Sequence, residues 1–540
     1  MTKITIVGSG ASGVHFALSL LKKGHEVTML DVGYTGPPQK NPEDTFYQLK
    51  CSLKDPVNYF LGENFESVVP PDYDQEIYGF PPNKQYIFKV PGDFKETATG
   101  FDPLFSFAAG GLAQAWTGGA YPFDDKDMKD FPFSYKDIEP YYEEAAERIG
   151  VIGTDDDLSK YFPLHKNLLP PLELDEHSQS LADNYQKKRA DLNKKLGIYL
   201  GRNRMAVLSR DKKERKACDY SGRCIWGCPS DSLYVPSLTL EECRGFPKFT
   251  YIPNQLVTHF IYNSKNRITS IAARSPEDKK TIEYDVETLA LAAGTLSSSK
   301  IYLDSIYRKT GEIFTLQGLM DNRQVLVPFI NMKMLGKNYN PDSYQYHQLA
   351  IGFEIAGPSG YDYVHGQLTT LKTVLMQPIL QTMPLDWKTA TFLGRNLHST
   401  MGVVNINYSD TRRKGNYVTL QPQRPASDGL STLEISYSPP RDEKKKISSS
   451  LKRVKKFLKS LGAFIPPGQA HIRPMGASVH YSGTLPMSTK PKPGSLSPNC
   501  KSYDFENLYI VDGTSLPFLP AKNLTFTLMA NAVRVADKEF

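Results

Sequence analysis

The sequence predicts an α/β protein, α+β overall, in which a domain with a parallel sheet carries an inserted domain built on an antiparallel sheet. Three observations predict this fold. Residues 3–31 follow the order strand, glycine turn, helix, strand. Short stretches of alternating apolar and polar residues recur between residues 330 and 470, as in half-buried antiparallel strands. The chain of 540 residues also exceeds the roughly 250–300 residues at which one hydrophobic core stops growing.

The N-terminal unit begins with the apolar, β-branched run Lys3–Ser9 and continues through a G-x-G-x-x-G turn into a predicted helix over Val14–Lys23. A second strand, Glu26–Leu30, then ends at Asp31, about twenty residues beyond the glycines. An acidic side chain at this place can hold the hydroxyls of a ribose. The order of these elements predicts a Rossmann-like dinucleotide-binding unit.

Each glycine of this turn has a physical task. Gly8 makes the tight turn, Gly10 lets the backbone approach a pyrophosphate, and Gly13 allows close packing of helix and strand. The N-terminus of the predicted helix presents unpaired amide groups and the positive end of the helix dipole to phosphates, and Ala11 and Ser12 lie in the glycine turn before it. The spacing by itself does not identify which dinucleotide binds.

Composition and charge exclude several classes of protein. The net charge of +6 is small, and basic residues are interleaved with acidic ones, so we expect no nucleic-acid partner. Six cysteines are too sparse for a disulfide scaffold. No apolar run approaches the roughly 20 residues of a membrane-spanning helix. The chain enters its first strand directly after Met1-Thr2-Lys3, without the pattern of a signal peptide, so we expect a soluble, cytoplasmic protein.

Six further segments share the pattern of one family. They are Gly110–Gly119 (GGLAQAWTGG), Thr288–Ser298 (TLALAAGTLSS), Gly318–Asn322 (GLMDN), Gly476–Thr484 (GASVHYSGT), Leu508–Pro517 (LYIVDGTSLP) and Ala521–Thr527 (AKNLTFT). Together with the N-terminal unit they resemble the glucose–methanol–choline (GMC) oxidoreductases, whose members bind FAD. The resemblance implies a Rossmann-like FAD-binding domain with an inserted substrate domain, and an enzyme that oxidises an alcohol to a carbonyl.

The resemblance and the N-terminal unit together imply a set of FAD contacts. These are Gly8, Gly10, Ala11, Ser12, Gly13, Asp31, Gly33, Gly110, Gly111, Ala115, Trp116, Thr117, Gly118, Val257, Ala293, Gly294, Asp512, Gly513, Asn523 and Thr525. In the similar pyranose oxidases a histidine of the glycine-rich segment bonds covalently to the flavin. The matching position here is Ala115, so the resemblance implies non-covalent FAD.

The resemblance also implies two catalytic residues. His480 matches the family's catalytic histidine, and Asn523 matches the second position, which is Asn or His in the family. Histidine suits a general base because its ordinary pKa lies near working pH. The chain departs from the family pattern at Leu524, where Pro is usual, at Pro486, where Arg is typical, and at Asn322, where His is common. These departures put the local geometry in question.

The matching segments are spread along the chain, so the predicted FAD-binding domain is discontinuous and comprises residues 1–125, 215–325 and 475–540. Residues 126–214 and 326–474 then form the substrate-binding domain.

Several alternatives stay open at this point. A sugar, glycoside or polyol is the favoured substrate, because the segment containing Trp116 and Thr117 resembles pyranose oxidases. An apolar alcohol is the alternative if Thr370–Pro384, rich in Met and Leu, lines the pocket. A lyase or isomerase that keeps FAD for structure is a third. The electron acceptor, whether oxygen, a quinone or a protein, stays open, and an oligomer is possible.

Cys218, Cys224 and Cys228 form a cluster in the sequence. The cluster lacks the two-residue spacing and the fourth thiolate of typical iron–sulfur runs. We expect reduced thiols and no metal; an iron–sulfur cluster, a disulfide and zinc are the alternatives.

Arg441–Leu461 is a predicted amphipathic helix with one apolar face and many lysines. It is either a solvated helix of the substrate domain or a membrane-surface helix.

Overall fold

The computed structural model describes residues 1–37, 45–65, 67, 76, 80–338, 340, 342–344, 347–357, 360–370, 380, 383–421 and 430–540. Within these residues the α-helices are α1 (Ala11–Lys22), α2 (Phe46–Ser52), α3 (Pro56–Leu61), α4 (Tyr135–Ile149), α5 (Glu176–Leu196), α6 (Pro236–Arg244), α7 (Thr295–Thr310), α8 (Trp387–Leu397), α9 (Glu443–Ser460) and α10 (Thr525–Glu539).

The strands are β1 (Lys3–Val7), β2 (Glu26–Leu30), β3 (Lys95–Thr99), β4 (Val151–Ile152), β5 (Leu168–Leu169), β6 (Ile198–Arg202), β7 (Phe249–Ile252), β8 (Leu256–Tyr262), β9 (Ile268–Arg274), β10 (Thr281–Asp285), β11 (Thr288–Leu291), β12 (Leu316–Gln317), β13 (Arg323–Asn331), β14 (Leu349–Gly357), β15 (Gly360–Thr370), β16 (Met401–Tyr408), β17 (Tyr417–Gln421), β18 (Thr432–Ser436), β19 (Ala463–Phe464), β20 (His471–Ile472) and β21 (Leu508–Ile510).

A five-stranded parallel sheet forms the nucleotide-binding part, with the strand order β21-β11-β1-β2-β7. Four of its strands, β21, β11, β1 and β2, are largely buried on both faces, as parallel strands covered by helices are, and the edge strand β7 is mostly half-buried. The predicted strand Glu26–Leu30 is confirmed at both ends. The predicted helix begins three residues earlier than expected, at Ala11, because Gly10 keeps extended backbone and acts as the N-cap. The α/β prediction with a Rossmann-like sheet is confirmed.

A large antiparallel sheet has the order β19-β13-β16-β15-β14-β6, and β20 also pairs with β13. Side chains alternate between its two faces. One face is apolar and packs against α5 and α9. The opposite face, here called the polar face, carries Gln324, His365, Gln367, Asn405 and Asn407, which are neighbours across the strand register. This sheet confirms the prediction of an antiparallel sheet in the substrate part.

The predicted basic helix is α9. Its apolar residues Ile447, Val454 and Leu458 are buried against the large antiparallel sheet, and Leu451 is half-buried. The apolar face of α9 is therefore part of the core. This agrees with the interpretation of α9 as a substrate-domain helix whose other face, rich in lysine, is solvated. Among the described residues, no helix is both long and apolar enough to cross a membrane.

A four-stranded sheet, β12-β17-β18-β3, mixes strands from both predicted domains. Lys95–Thr99, from the predicted FAD-binding domain, pairs in parallel with Thr432–Ser436 from the predicted substrate domain. The two parts therefore share main-chain hydrogen bonds, and the proposed boundaries stay a prediction.

A buried ion pair fixes the C-terminal loop that precedes α10. Lys522 is fully buried, and its Nζ lies 2.5 Å from Asp127 Oδ2 and 3.3 Å from Asp124 Oδ2. The same ammonium donates to the carbonyl oxygens of Pro122 and Tyr161, at 3.2 and 2.6 Å. The loop 520–524 is thus tied to residues 122–161 by one cation.

Replacing Lys522 by Ala should destabilise the protein by about 3–5 kcal/mol, because it leaves Asp127 as a buried charge without its partner. The shift of the urea unfolding midpoint of the FAD-loaded protein measures the loss. Lys456→Ala is the matched control, since Lys456 is exposed and we expect a change within about 0.5 kcal/mol. Equal midpoints for the two variants would contradict this role of the ion pair.

Candidate active site

A cleft opens at the carboxyl ends of the parallel strands. The loop after β1 contributes Gly8, the end of β2 contributes Asp31, the loop after β11 contributes Gly294, and the loop after β21 contributes Asp512. Ligands of open α/β sheets bind at this edge, because adjacent strand ends bring their loops together there.

The glycine turn has the geometry that the sequence predicts. Gly8 has φ +99°, and a Cβ there would lie 2.6 Å from the carbonyl oxygen of Ala292. A Cβ at Gly13 would collide with the Gly8 carbonyl oxygen, so close helix–strand packing requires glycine. Gly10 faces open space, with Ala292 O at 3.9 Å as the nearest contact of a Cβ. The N-terminus of α1 is therefore accessible to a phosphate.

Asp31 lies in the cleft and binds groups of the chain itself. Its Oδ2 accepts a hydrogen bond from Ser9 N at 3.2 Å and another from Ser9 Oγ. Ser9 Oγ in turn accepts from the backbone N–H of Gly110 at 2.9 Å. Burial raises the pKa of the Asp31 carboxyl to about 6, although the bonds from Ser9 lower it. The ribose contact predicted for Asp31 is sterically open, because this residue lines the cleft.

The carboxylate of Asp512 lies at the N-terminus of α7. Its Oδ2 accepts from Gly294 N at 3.0 Å and from Ser298 Oγ at 2.5 Å, and its Oδ1 accepts from Thr514 N at 3.0 Å. Burial raises the pKa of this carboxyl to about 6. A carboxylate is favourable at the positive end of a helix dipole. Asp512 thereby joins two of the loops that line the cleft.

Most of the predicted FAD contacts come together in this cleft. Those that line it are Gly8, Gly10, Ala11, Ser12, Asp31, Gly111, Val257, Ala293, Gly294, Asp512, Gly513 and Thr525. Gly13 lies behind the glycine turn.

The remaining predicted contacts lie elsewhere. Ala115 and Trp116 line a second cavity together with Lys84, Cys224 and Cys228. Gly33 faces Tyr251, and Gly118 packs on Leu233 and Met205. The backbone N–H of Gly110 donates to Ser9, and Asn523 contacts the polar face through Gln367. Thr117 is half-buried.

His480 is held in one tautomer by Asn322. The Asn322 amide nitrogen donates to two backbone carbonyls, Tyr408 O at 2.8 Å and Pro520 O at 2.9 Å. Both of its N–H groups are thus used, so the amide oxygen faces His480 Nδ1 at 2.9 Å and accepts a hydrogen bond from the N–H of that atom. Nε2 therefore carries the lone pair. Burial, and to a lesser extent the charge of Arg473, lowers the pKa of His480 to about 4, so the ring is neutral at ordinary pH.

Asp321 holds the turn that carries His480. Its carboxylate accepts from Gly476 N at 2.7 Å, from His480 N at 3.2 Å and from Ser478 Oγ. Val479 within this turn has φ +62°, a strained conformation for a β-branched residue. Such strain persists only where surrounding contacts impose it, and it is concentrated at functional sites.

Asn523 lies beside the polar face. Gln367 Nε2 donates to its Oδ1 at 3.0 Å. The immediate sequence neighbours of both catalytic candidates line the cleft, namely Val479 and Tyr481 around His480, and Leu524 after Asn523. His480 and Asn523 therefore both lie next to the cleft wall, between it and the large antiparallel sheet.

Cys224 is buried and Cys218 and Cys228 are half-buried, and all three pack in one small apolar cluster. Burial raises the pKa of Cys218 to about 12, which disfavours the thiolate that a metal would need. Within the described part of the chain, no three His, Cys, Asp or Glu side chains are grouped so that they could hold a metal ion. Reduced thiols stay the prediction for this cluster.

Comparison with known proteins identifies the family. Residues 411–532 match the family model of the GMC oxidoreductases. This segment is a GMC oxidoreductase C-terminal domain, and the whole chain is similar to the relatives that follow. The chain is 21% identical to the 2-methyl-1,2-propanediol dehydrogenase of Mycolicibacterium austroafricanum, over 99% of this chain and 94% of the relative. It is also 21% identical to the fructose dehydrogenase large subunit of Gluconobacter japonicus, over 99% and 97%.

A solved structure has the same fold. Pyridoxine 4-oxidase from Mesorbium loti superposes with a TM-score of 0.60 at 13% sequence identity, covering 100% of this chain and 99% of that one. The family consists of FAD-dependent oxidoreductases. The open helix N-terminus beside Gly10 suits the phosphates of a dinucleotide, and the position of Asp31 after β2 suits a ribose, so the cleft fits FAD.

Several residues of the site were missed by sequence reasoning. Asn322 was noted only as a departure from the family pattern, yet it orients His480. Asp321 lies within the Gly318–Asn322 segment, which indicated no role for it, and Gln367 carries no local motif. Their signal in the sequence is a polar residue within an otherwise strand-like or apolar stretch, and such residues are common.

Replacing Gly13 by Ala should lower the fraction of purified enzyme that contains FAD, because the new methyl group collides with the Gly8 carbonyl and displaces the phosphate-binding turn. Flavin absorbance per protein measures this fraction. Gly92→Ala is the matched control, since a Cβ there meets no atom within 4 Å. A Gly13→Ala protein that retains FAD as the control does would contradict the packing role of Gly13.

Proposed function

We propose that this protein oxidises an alcohol group to a carbonyl, with His480 as the base and Asn523 as a hydrogen-bond donor to the substrate oxygen. The observation that carries the proposal is the tautomer of His480. Because Nδ1 carries the ring proton and donates it in a hydrogen bond to Asn322, Nε2 has a free lone pair that is available to the substrate hydroxyl. When bound, FAD supplies the acceptor for the hydride that leaves the carbon atom.

His480 would accept the hydroxyl proton at Nε2 as the C–H bond breaks. A base must be unprotonated to act, and the low pKa of His480 satisfies this condition across the neutral range. The proton on Nδ1 stays on the ring and is donated in a hydrogen bond to Asn322 Oδ1, which stabilises the imidazolium that forms. Asn523 would donate an N–H to the same oxygen and stabilise the negative charge that develops there.

A hydroxyl-rich substrate is favoured by the polar face. Two buried atoms of this face, His365 Nε2 and Asn405 Oδ1, have no hydrogen-bond partner among the described residues. Hydroxyls of a sugar, glycoside or polyol would supply such partners, and an apolar alcohol would not. Similar proteins are named for 2-methyl-1,2-propanediol, fructose and paromamine. The segment that would favour an apolar alcohol, Thr370–Pro384, lies largely outside the described residues.

Anaerobic flavin reduction across free sugars, glycosides, polyols and fatty alcohols tests the substrate class. The same assay tests the alternative of a lyase or isomerase, which would act on its substrate without bleaching the flavin.

His480→Ala should retain FAD but slow anaerobic flavin reduction by ~10²–10⁴-fold, the usual contribution of a positioned acid–base group. Asn523→Ala should lose less, about 2–4 kcal/mol of transition-state stabilisation, since the proton acceptor stays in place. Single-turnover reduction at saturating substrate measures both. His471→Ala is a matched control, because His471 is exposed and pairs with Glu76. Wild-type reduction by His480→Ala would exclude His480 as the base.

We also propose that FAD is bound without a covalent link, because Ala115 has no nucleophilic atom. Heat or acid denaturation should release all of the flavin into the supernatant, where absorbance measures it. Flavin that stays in the precipitated polypeptide would identify a bond to another residue and contradict the proposal.

A further inference from the structure

We infer that a buried chain of hydrogen bonds, which runs from the backbone carbonyl of His347 through Asn203, Tyr121 and Gln367, orients the side-chain amide of Asn523. In this orientation the Asn523 N–H groups, and not its oxygen, face the substrate. The inference rests on the proposed role of Asn523 and adds the residues that impose that role.

The chain begins at a group whose polarity is unambiguous. A backbone carbonyl can only accept, so the Asn203 side-chain atom 3.0 Å from His347 O is the nitrogen Nδ2. The oxygen of the same amide then faces the opposite way, toward Tyr121. Tyr121 Oη lies 2.6 Å from Asn203 Oδ1, and the phenol must donate its single proton to that oxygen.

Tyr121 transmits this polarity to Gln367. Having donated its proton to Asn203, the phenol oxygen can only accept from the Gln367 side chain, which lies 3.0 Å away. The Gln367 atom at this contact is therefore the nitrogen Nε2. Its second N–H is directed at Asn523 Oδ1, also at 3.0 Å. Both N–H groups of Gln367 are then used, and the amide nitrogen of Asn523 is left for the substrate.

The environment makes this orientation costly to reverse. Asn203 and Gln367 are 2% exposed and Tyr121 is fully buried. Turning Asn203 or Gln367 would set two oxygens against each other, and turning Asn523 would set two N–H donors against each other. In a low-dielectric interior the lost hydrogen bonds cannot be replaced by water. The Tyr121 ring is further held edge-on against His365, with ring centroids 4.4 Å apart.

Glycine at position 119 keeps a side chain away from the Asn523 nitrogen, because a Cβ there would lie 3.3 Å from Nδ2. His480 presents an acceptor, Nε2, and Asn523 presents a donor, Nδ2. A single hydroxyl matches this pair, since it donates its proton to one and accepts from the other. Gln367 and Tyr121 are thus positioning residues for the alcohol oxygen.

Gln367→Glu tests the chain, because a carboxylate cannot donate to Asn523 whereas a protonated carboxyl can. The ratio of variant to wild-type single-turnover reduction rates should be near one at low pH. It should fall by ~10²–10³-fold as pH rises through the pKa of the new carboxyl, which is the range for loss of one oxyanion donor. A role in folding alone would not follow this titration. In the Asn523→Ala background the same substitution should have no pH-dependent effect.

Tyr121→Phe is the second variant, in case Gln367→Glu does not fold. It keeps the ring but frees Gln367 to turn, so we expect a loss of several-fold that disappears in the Asn523→Ala background. A ratio that does not change with pH, or losses that persist without the Asn523 amide, would overturn the inference. If Asn523→Ala itself reduced its flavin at the wild-type rate, the proposed function of Asn523 would fail instead.

Discussion

The amide of Asn322 is the contact on which the geometry of the candidate site depends. Its nitrogen donates to carbonyls at the end of a strand of the large antiparallel sheet and in the loop before α10, and its oxygen binds His480. One buried side chain therefore joins the sheet, the C-terminal loop and the proposed base. Because both N–H groups have fixed acceptors, the imidazole has a single tautomer, and the proton-accepting nitrogen faces away from Asn322.

The cleft depends on a different constraint, the close approach of backbone segments at the edge of a parallel sheet. Segments near residues 8, 31, 294 and 512 meet there because β1, β2, β11 and β21 are neighbours in the sheet, although they are distant in sequence. Glycine at position 13 allows the helix to lie against the turn. A long, narrow site results, which suits a dinucleotide with phosphates near its middle.

The large antiparallel sheet serves both packing and recognition, because its side chains alternate. The apolar face and helices α5 and α9 form a core, so the polar face can carry amides and imidazoles without weakening that core. The same strand β15 supplies Val364 to the core and Gln367 to the hydrogen-bond chain.

The sequence by itself determined the features with local signals. The G-x-G-x-x-G turn, the strand Glu26–Leu30 and the helix α9 follow from short-range patterns, and the family follows from separated motifs, which also indicate His480 and Asn523 as candidates. Only the tertiary structure decided which atoms of these two residues face the substrate. Asn322 is 158 residues from His480, and Gln367 is 156 residues from Asn523. Donor and acceptor directions are set by partners that folding brings together, and no local pattern in the chain records them.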